Sequence, residues 1–101
     1  MQWDTIGRLV DWLDKESPVT GEQAKVMRVL KIGEEFGEVA EALHGAMGAN
    51  PRKGASHSWD DVHKELCDVA ITTLVALVSL TPEARQLFEA RLEHIGRRSL
   101  D

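Results

Sequence analysis

The chain has 101 residues, enough for one small domain spanning 1–101 and no more. Lys and Arg number 12 against 17 Asp and Glu, a net charge of −5, which argues against a broad basic face for polymeric DNA or RNA. An acidic small molecule whose charge is met by metal ions remains compatible with that balance. A core of this size is modest, so a homo-oligomer that buries further surface is expected. The single cysteine, Cys67, cannot form an internal disulfide. It lies in an apolar run, reads as a core thiol, and fits a reducing, cytoplasmic setting. No basic-then-apolar leader opens the chain. The longest apolar run, Val69 to Leu80, is interrupted by Thr72, Thr73 and Ser79 and is too short to span a bilayer.

In chain order, Trp3, Ile6, Leu9, Val10 and Leu13 recur at helical spacing and predict a first helix from about Gln2 to Glu16. Ser17-Pro18-Val19 breaks it. Thr20-Gly21-Glu22-Gln23 reads as a capping box opening a second helix that runs to about Met47, where Gly48-Ala49-Asn50-Pro51 stops it. The loop from Asn50 to His57 holds Arg52, Lys53 and Gly54 and has no periodicity. Ser58, with Asp61 three residues on, caps a third helix running to Leu80. Thr81 caps a fourth, with Pro82 at its first position and an end near Arg97. No strand pattern or internal repeat is present. The expected architecture is all-α, an up-and-down four-helix bundle.

Two stretches stand out: Glu34-Glu35-Phe36-Gly37-Glu38 on the second helix and Glu65-Leu66-Cys67-Asp68 on the third. Each puts two acids three residues apart, on one helix face, within an apolar segment. At 100° per residue, Ile32, Phe36, Val39, Leu43 and Ala46 cluster on one side of the second helix, with Glu35 close to that side and Glu38 at its edge. Glu34 and Glu41 turn toward water. The third helix is apolar around most of its circumference except for a stripe of Asp61, Glu65, Asp68 and Thr72. Four carboxylates facing one another between two helices require a hard divalent cation such as magnesium, because burying that much unpaired negative charge is prohibitive. Lys31, one turn before Glu35, could pair with it, but one lysine cannot balance four acids.

Together these residues resemble the MazG-type all-α nucleoside triphosphate pyrophosphohydrolases, whose signature is Glu-Glu-x-x-Glu followed by Glu-x-x-Asp. Here the two parts are separated by 26 residues. The neighbouring words Lys31-Ile32-Gly33 and Val39-Ala40-Glu41-Ala42-Leu43 also look like the family, as does Val69 after Asp68. The resemblance covers the second and third helices. It implies that Glu35, Glu38, Glu65 and Asp68 hold Mg2+, with Mn2+ as a substitute. It also implies hydrolysis between the α- and β-phosphates of a nucleotide, giving a monophosphate and pyrophosphate. A homodimer or homotetramer with sites near subunit boundaries completes the implied picture.

Within that reading Glu34 or Glu38 could orient the attacking water. Lys31, Arg52 and Lys53 are candidates for the outer phosphates. Trp59 or Trp12 could stack on a base, against the plainer role of helix packing. His44, His57, His63 and His94 share no spacing and read as surface or packing residues. A di-iron bundle built from Glu41–His44 and Asp60–His63 fails on geometry, since Glu41 and His44 point away from the apolar side and His63 lies about 160° from Glu65. The rival that the residues leave open is a non-catalytic bundle that binds nucleotide or metal with the same ligands.

Overall fold

The computed structural model describes residues 2–100. They form four helices, α1 (Gln2–Glu16), α2 (Gly21–Ala46), α3 (Trp59–Leu80) and α4 (Ala84–Leu100), and no strand among the described residues. The elements fall where the sequence places them, apart from α4, which continues past Arg97.

The ends of the helices follow local chemistry. At α3 the expected capping box is present: the Asp61 N–H donates to Ser58 Oγ at 3.2 Å, and the Ser58 N–H donates to Asp61 Oδ2 at 2.9 Å. The backbone N–H of Ser58 is the main reason the Asp61 carboxyl sits below its ordinary value. The box expected at Thr20 does not form, and its side chain makes no capping hydrogen bond. Gly21 enters α2 at φ +64°, a left-handed turn that disturbs the extended-to-helical step on which such a box depends. Thr81 Oγ1 accepts from the Glu83 N–H at 3.2 Å, and α4 starts at Ala84. Pro82 therefore sits in the turn ahead of the helix rather than at its first position.

Packing centres on α2 and α3, which run antiparallel. Arg28, early in α2, reaches Ser79 at the end of α3 (2.9 Å), while Gly45 at the far end of α2 meets the loop leading into α3. That second contact demands glycine: a Cβ on Gly45 would fall 2.2 Å from His57 Nδ1. The buried side of α2 carries Ala24, Val39 and Ala42, with Arg28 and Glu35 on the same stripe. Phe36, expected on that side, is instead 64 % exposed, because Glu35 and not Phe36 points at α3. α1 lies on α3 through Ile6, Val10 and Val75, with Leu13, Leu74 and Val78 packed around them. Trp3 meets Phe88 of α4 edge-on, with ring centroids 5.8 Å apart.

These four helices do not close around one core. The radius of gyration is 16.5 Å, against about 13 Å for a compact chain of this length. Leu30, Leu66, Ile71 and Leu92 are all more than two-fifths exposed. Cys67 is exposed too, contrary to the core thiol expected, because the side of α3 that carries it has nothing packed against it. Among the described residues no helix is long and apolar enough to cross a membrane.

Replacing Ser58 with Ala removes one half of the α3 capping box and is expected to lower stability by about 1 kcal/mol. Urea unfolding should show a lower midpoint with an unchanged slope. The part contributed by Asp61 is present above its ordinary value of 3.8 and fades as the pH falls through the lowered folded-state value.

Candidate metal centre

The antiparallel pairing brings acids from the middle of α2 opposite one from the first half of α3. Glu35, Glu38 and Glu65 each present a carboxylate oxygen, and the three lie within 4.8 Å of one another. Two causes in the sequence produce this. Glu35 falls at the centre of the buried stripe of α2, with Glu38 about 60° round on one flank. Glu65 falls at the edge of the α3 stripe formed by Val62, Val69 and Ala76, about 40° from its centre. Glu35 is correspondingly 13 % exposed at its side chain, and Glu38 stays open to solvent at the rim.

The electrostatics are those of an unneutralised group. The Glu38 carboxyl is raised above its ordinary value of 4.5, chiefly by the hydrogen bond it shares with Glu65. Desolvation and the charges of Glu65 and Glu34 push the same way, and a hydrogen bond with Glu35 pulls against them. Two ionised carboxylates have no proton to share. Glu65 Oε2 is occluded from solvent and has no hydrogen-bond partner. Lys31 lies 3.6 Å from both Glu34 Oε1 and Glu35 Oε1, so of the three converging acids its ammonium pairs with Glu35 alone.

A magnesium ion fits this donor set. Octahedral ligands at 2.0–2.1 Å place neighbouring oxygens about 3 Å apart and opposite ones about 4 Å apart. The observed spread of up to 4.8 Å needs to contract only slightly. The orphaned Glu65 oxygen is the kind of atom such an ion satisfies.

The remaining expected residues divide by position. Asp68, one turn along α3 from Glu65, is exposed and its carboxylate is not one of the three that converge. Glu34 is 65 % exposed at its side chain and tied to Lys31. Arg52, Lys53 and Trp59 lie at the opposite end of the α2–α3 pair from Lys31. The Arg52 and Lys53 N–H groups both donate to Asn50 Oδ1 (2.9 and 3.1 Å), and Lys53 Nζ lies 3.8 Å from Glu41. Glu41 and His44 stay out of the acid group, His44 pairing with the Ala40 carbonyl at 2.9 Å.

Beside the acids, toward the start of α2, lies an open groove of about 430 Å³ between α1, α2 and α3. Its walls include Leu9, Trp12, Met27, Leu30, Ile71 and Val75, and Lys31 and Glu34 stand at the end next to the acids. Trp59 is not part of it. Arg28 also lines the groove, a residue that the motif reading passed over. The signal was available: Arg28 falls two turns before Glu35 on the same stripe, a lone arginine among Ala24, Val39 and Ala42.

The raised Glu38 value has a sign that can be tested. A carboxyl whose folded-state value exceeds 4.5 contributes stability that is full below that pH and is lost as the pH rises through the raised value. Glu38→Gln holds the position neutral at every pH. In chelator, melting curves should show the variant matching the wild type near pH 4 and exceeding it increasingly toward pH 8. Adding Mg2+ at pH 8 should raise the melting temperature of the wild type and leave the variant unmoved.

No family model, no curated protein and no solved structure matches the chain, so its site is read from its own residues.

Proposed function

We propose that this chain is a magnesium-dependent nucleoside triphosphate pyrophosphohydrolase of the MazG-like kind, acting on a nucleotide between the α- and β-phosphates. The observation that carries the proposal is the convergence of Glu35, Glu38 and Glu65 from two antiparallel helices with one occluded oxygen left unpaired. The motif likeness supplies the reaction, and the geometry supplies a donor set that suits the ion. Glu35, Glu38 and Glu65 would hold Mg2+, or Mn2+ in its place. The ion would supply neutralisation of the triphosphate and a more acidic bound water.

The chain's own residues account for the rest. Glu34 stands next to the group without belonging to it, and accepts a proton from the attacking water. Lys31, half-exposed, leaves Glu34 and Glu35 for a phosphate once their charge is met. Arg52 and Lys53, held on an ordered turn at the far end of the helix pair, serve a neighbouring copy rather than this site. That role agrees with a homodimer or homotetramer, which would also cover the bare sides of α2, α3 and α4.

The deciding experiment incubates the protein with a panel of nucleoside triphosphates and Mg2+, with and without chelator, and measures pyrophosphate. Turnover is expected in the absence of chelator only. Glu38→Gln should reduce it more than about 100-fold while helix content by circular dichroism is unchanged. Asp68→Asn reports on the outlying acid: a loss as large as that of Glu38→Gln includes Asp68 among the ligands, and retained activity leaves it out. If nothing is hydrolysed but a nucleotide raises the melting temperature, the chain is a non-catalytic binder. Sedimentation velocity at micromolar concentration should give two or four times the 11.2 kDa of the chain, and a lone monomer would overturn the oligomer.

A further inference from the structure

Helix α4 is the element that the rest of the chain holds least. Ala84 at its start is buried, and Phe88 meets Trp3. From Arg85 to Leu100 every residue is exposed except Gly96, which is partly covered. Leu92, Ile95 and Leu100 share one side of this arm, with the small residues Gly96 and Ser99 among them. That side is about 12 Å long. A helix of 17 residues is marginal in water by itself, and an apolar side of this kind calls for a cover.

The groove between α1, α2 and α3 lacks the matching element. None of the residues that line it comes from α4. Its α2 wall, from Met27 to Glu34, is about 10 Å long. Trp12 and Leu30 beside it are 59 % and 63 % exposed. Three helices with an apolar trough between them are a four-helix bundle short of one member. The chain's own α4 cannot fill that place. Trp3 and Trp12 lie about 180° apart round α1. Trp3 touches α4 and Trp12 faces the groove, so α1 stands between the two.

Charge complements shape. Arg85, Arg91, Arg97 and Arg98 put four of the chain's twelve basic side chains on α4, against two of its seventeen acids. Arg91 and Arg98 flank the side that carries Leu92 and Ile95. The rim of the groove is acidic. Glu34 lines it, Glu16 falls between Leu9 and Trp12 round α1, and Asp68 lies one turn before Thr72 on α3. The groove's own cations are already held, Arg28 by Asp14 and Lys31 by Glu34 and Glu35.

We infer that two copies of this chain exchange α4, each seating Leu92 and Ile95 in the other's groove between α1, α2 and α3, with Arg91 and Arg98 against its acidic rim. The exchange is reciprocal, as a two-fold axis requires, and the fourth helix of each bundle is supplied in trans. The inference rests on the oligomer proposed above and names its interface. A dimer joined through another face would strike the inference and leave that reading standing.

Two full-length variants test it. Leu92→Glu charges the arm and Trp12→Glu charges the groove, both at exposed positions, so helix content by circular dichroism should be unchanged. Sedimentation velocity should show the wild type as a dimer at micromolar concentration, and each variant should need at least about 10-fold more protein to associate. Mixing the variants should restore part of the dimer, because one sound arm then meets one sound groove. Cross-linking reports the contact itself. In a Cys67→Ser background, Leu30→Cys and Leu92→Cys chains should form a disulfide-linked pair when mixed and oxidised with diamide, and little when oxidised separately. A monomeric wild type would overturn the proposal, as would a dimer that both Glu variants leave intact. Two weakened variants that gain nothing on mixing would also overturn it, since each position would then meet its own counterpart. So would a disulfide that forms only within a single chain carrying both cysteines, which would place α4 in its own groove.

Discussion

Everything functional in this molecule depends on the antiparallel register of α2 against α3. The register is pinned at both ends: Arg28 reaches Ser79 at one, and Gly45 admits the His57 loop at the other. Between these points the two helices cannot slide by a turn without losing a hydrogen bond or driving backbone into a ring. The fixed register brings Glu35 and Glu38 opposite Glu65. Acids that a free helix would keep in water are thereby held against one another, and the raised Glu38 carboxyl and the orphaned Glu65 oxygen are two expressions of that confinement.

Strain of this kind is common where a fold is shaped around something it must bind. The α2–α3 pair keeps polar groups on the very stripe where most helix pairs place Leu or Val. Val39 and Ala42 on α2, with Val62, Val69 and Ala76 on α3, flank the acids and pack the helices, while the acids themselves contribute repulsion. A cation held there, as proposed, would raise the stability of the pair and link folding to binding. Arg28 follows the same pattern in the opposite sign: a cation on the apolar stripe, half satisfied by the protein and half not.

The open shape belongs to the same account. A chain of this size that commits much of its best-packed surface to a polar site has little left to cover α4 and the outer sides of α2 and α3. Leu30, Leu66 and Leu92 are exposed as a result. These helices are apolar on more than one side, and one copy of the chain supplies too few partners for them.

The sequence by itself determined the helices, their limits within a few residues, the α3 cap at Ser58, and the inward turn of Glu35 and Glu65. These follow from local spacing and hydrogen bonding, which a helix expresses whatever it packs against. It misjudged Phe36 and Cys67, because periodicity marks a residue as apolar without saying whether a neighbour exists to cover it. It misjudged the Thr20 cap, because the left-handed turn at Gly21 is not visible in residue spacing. Only the tertiary structure decided that three of the four expected acids converge and Asp68 does not, and that one Arg28 nitrogen is occluded without a partner. Those facts are distances between residues far apart in the chain, and helix register and rotamer set them, neither of which is written in the spacing of one helix.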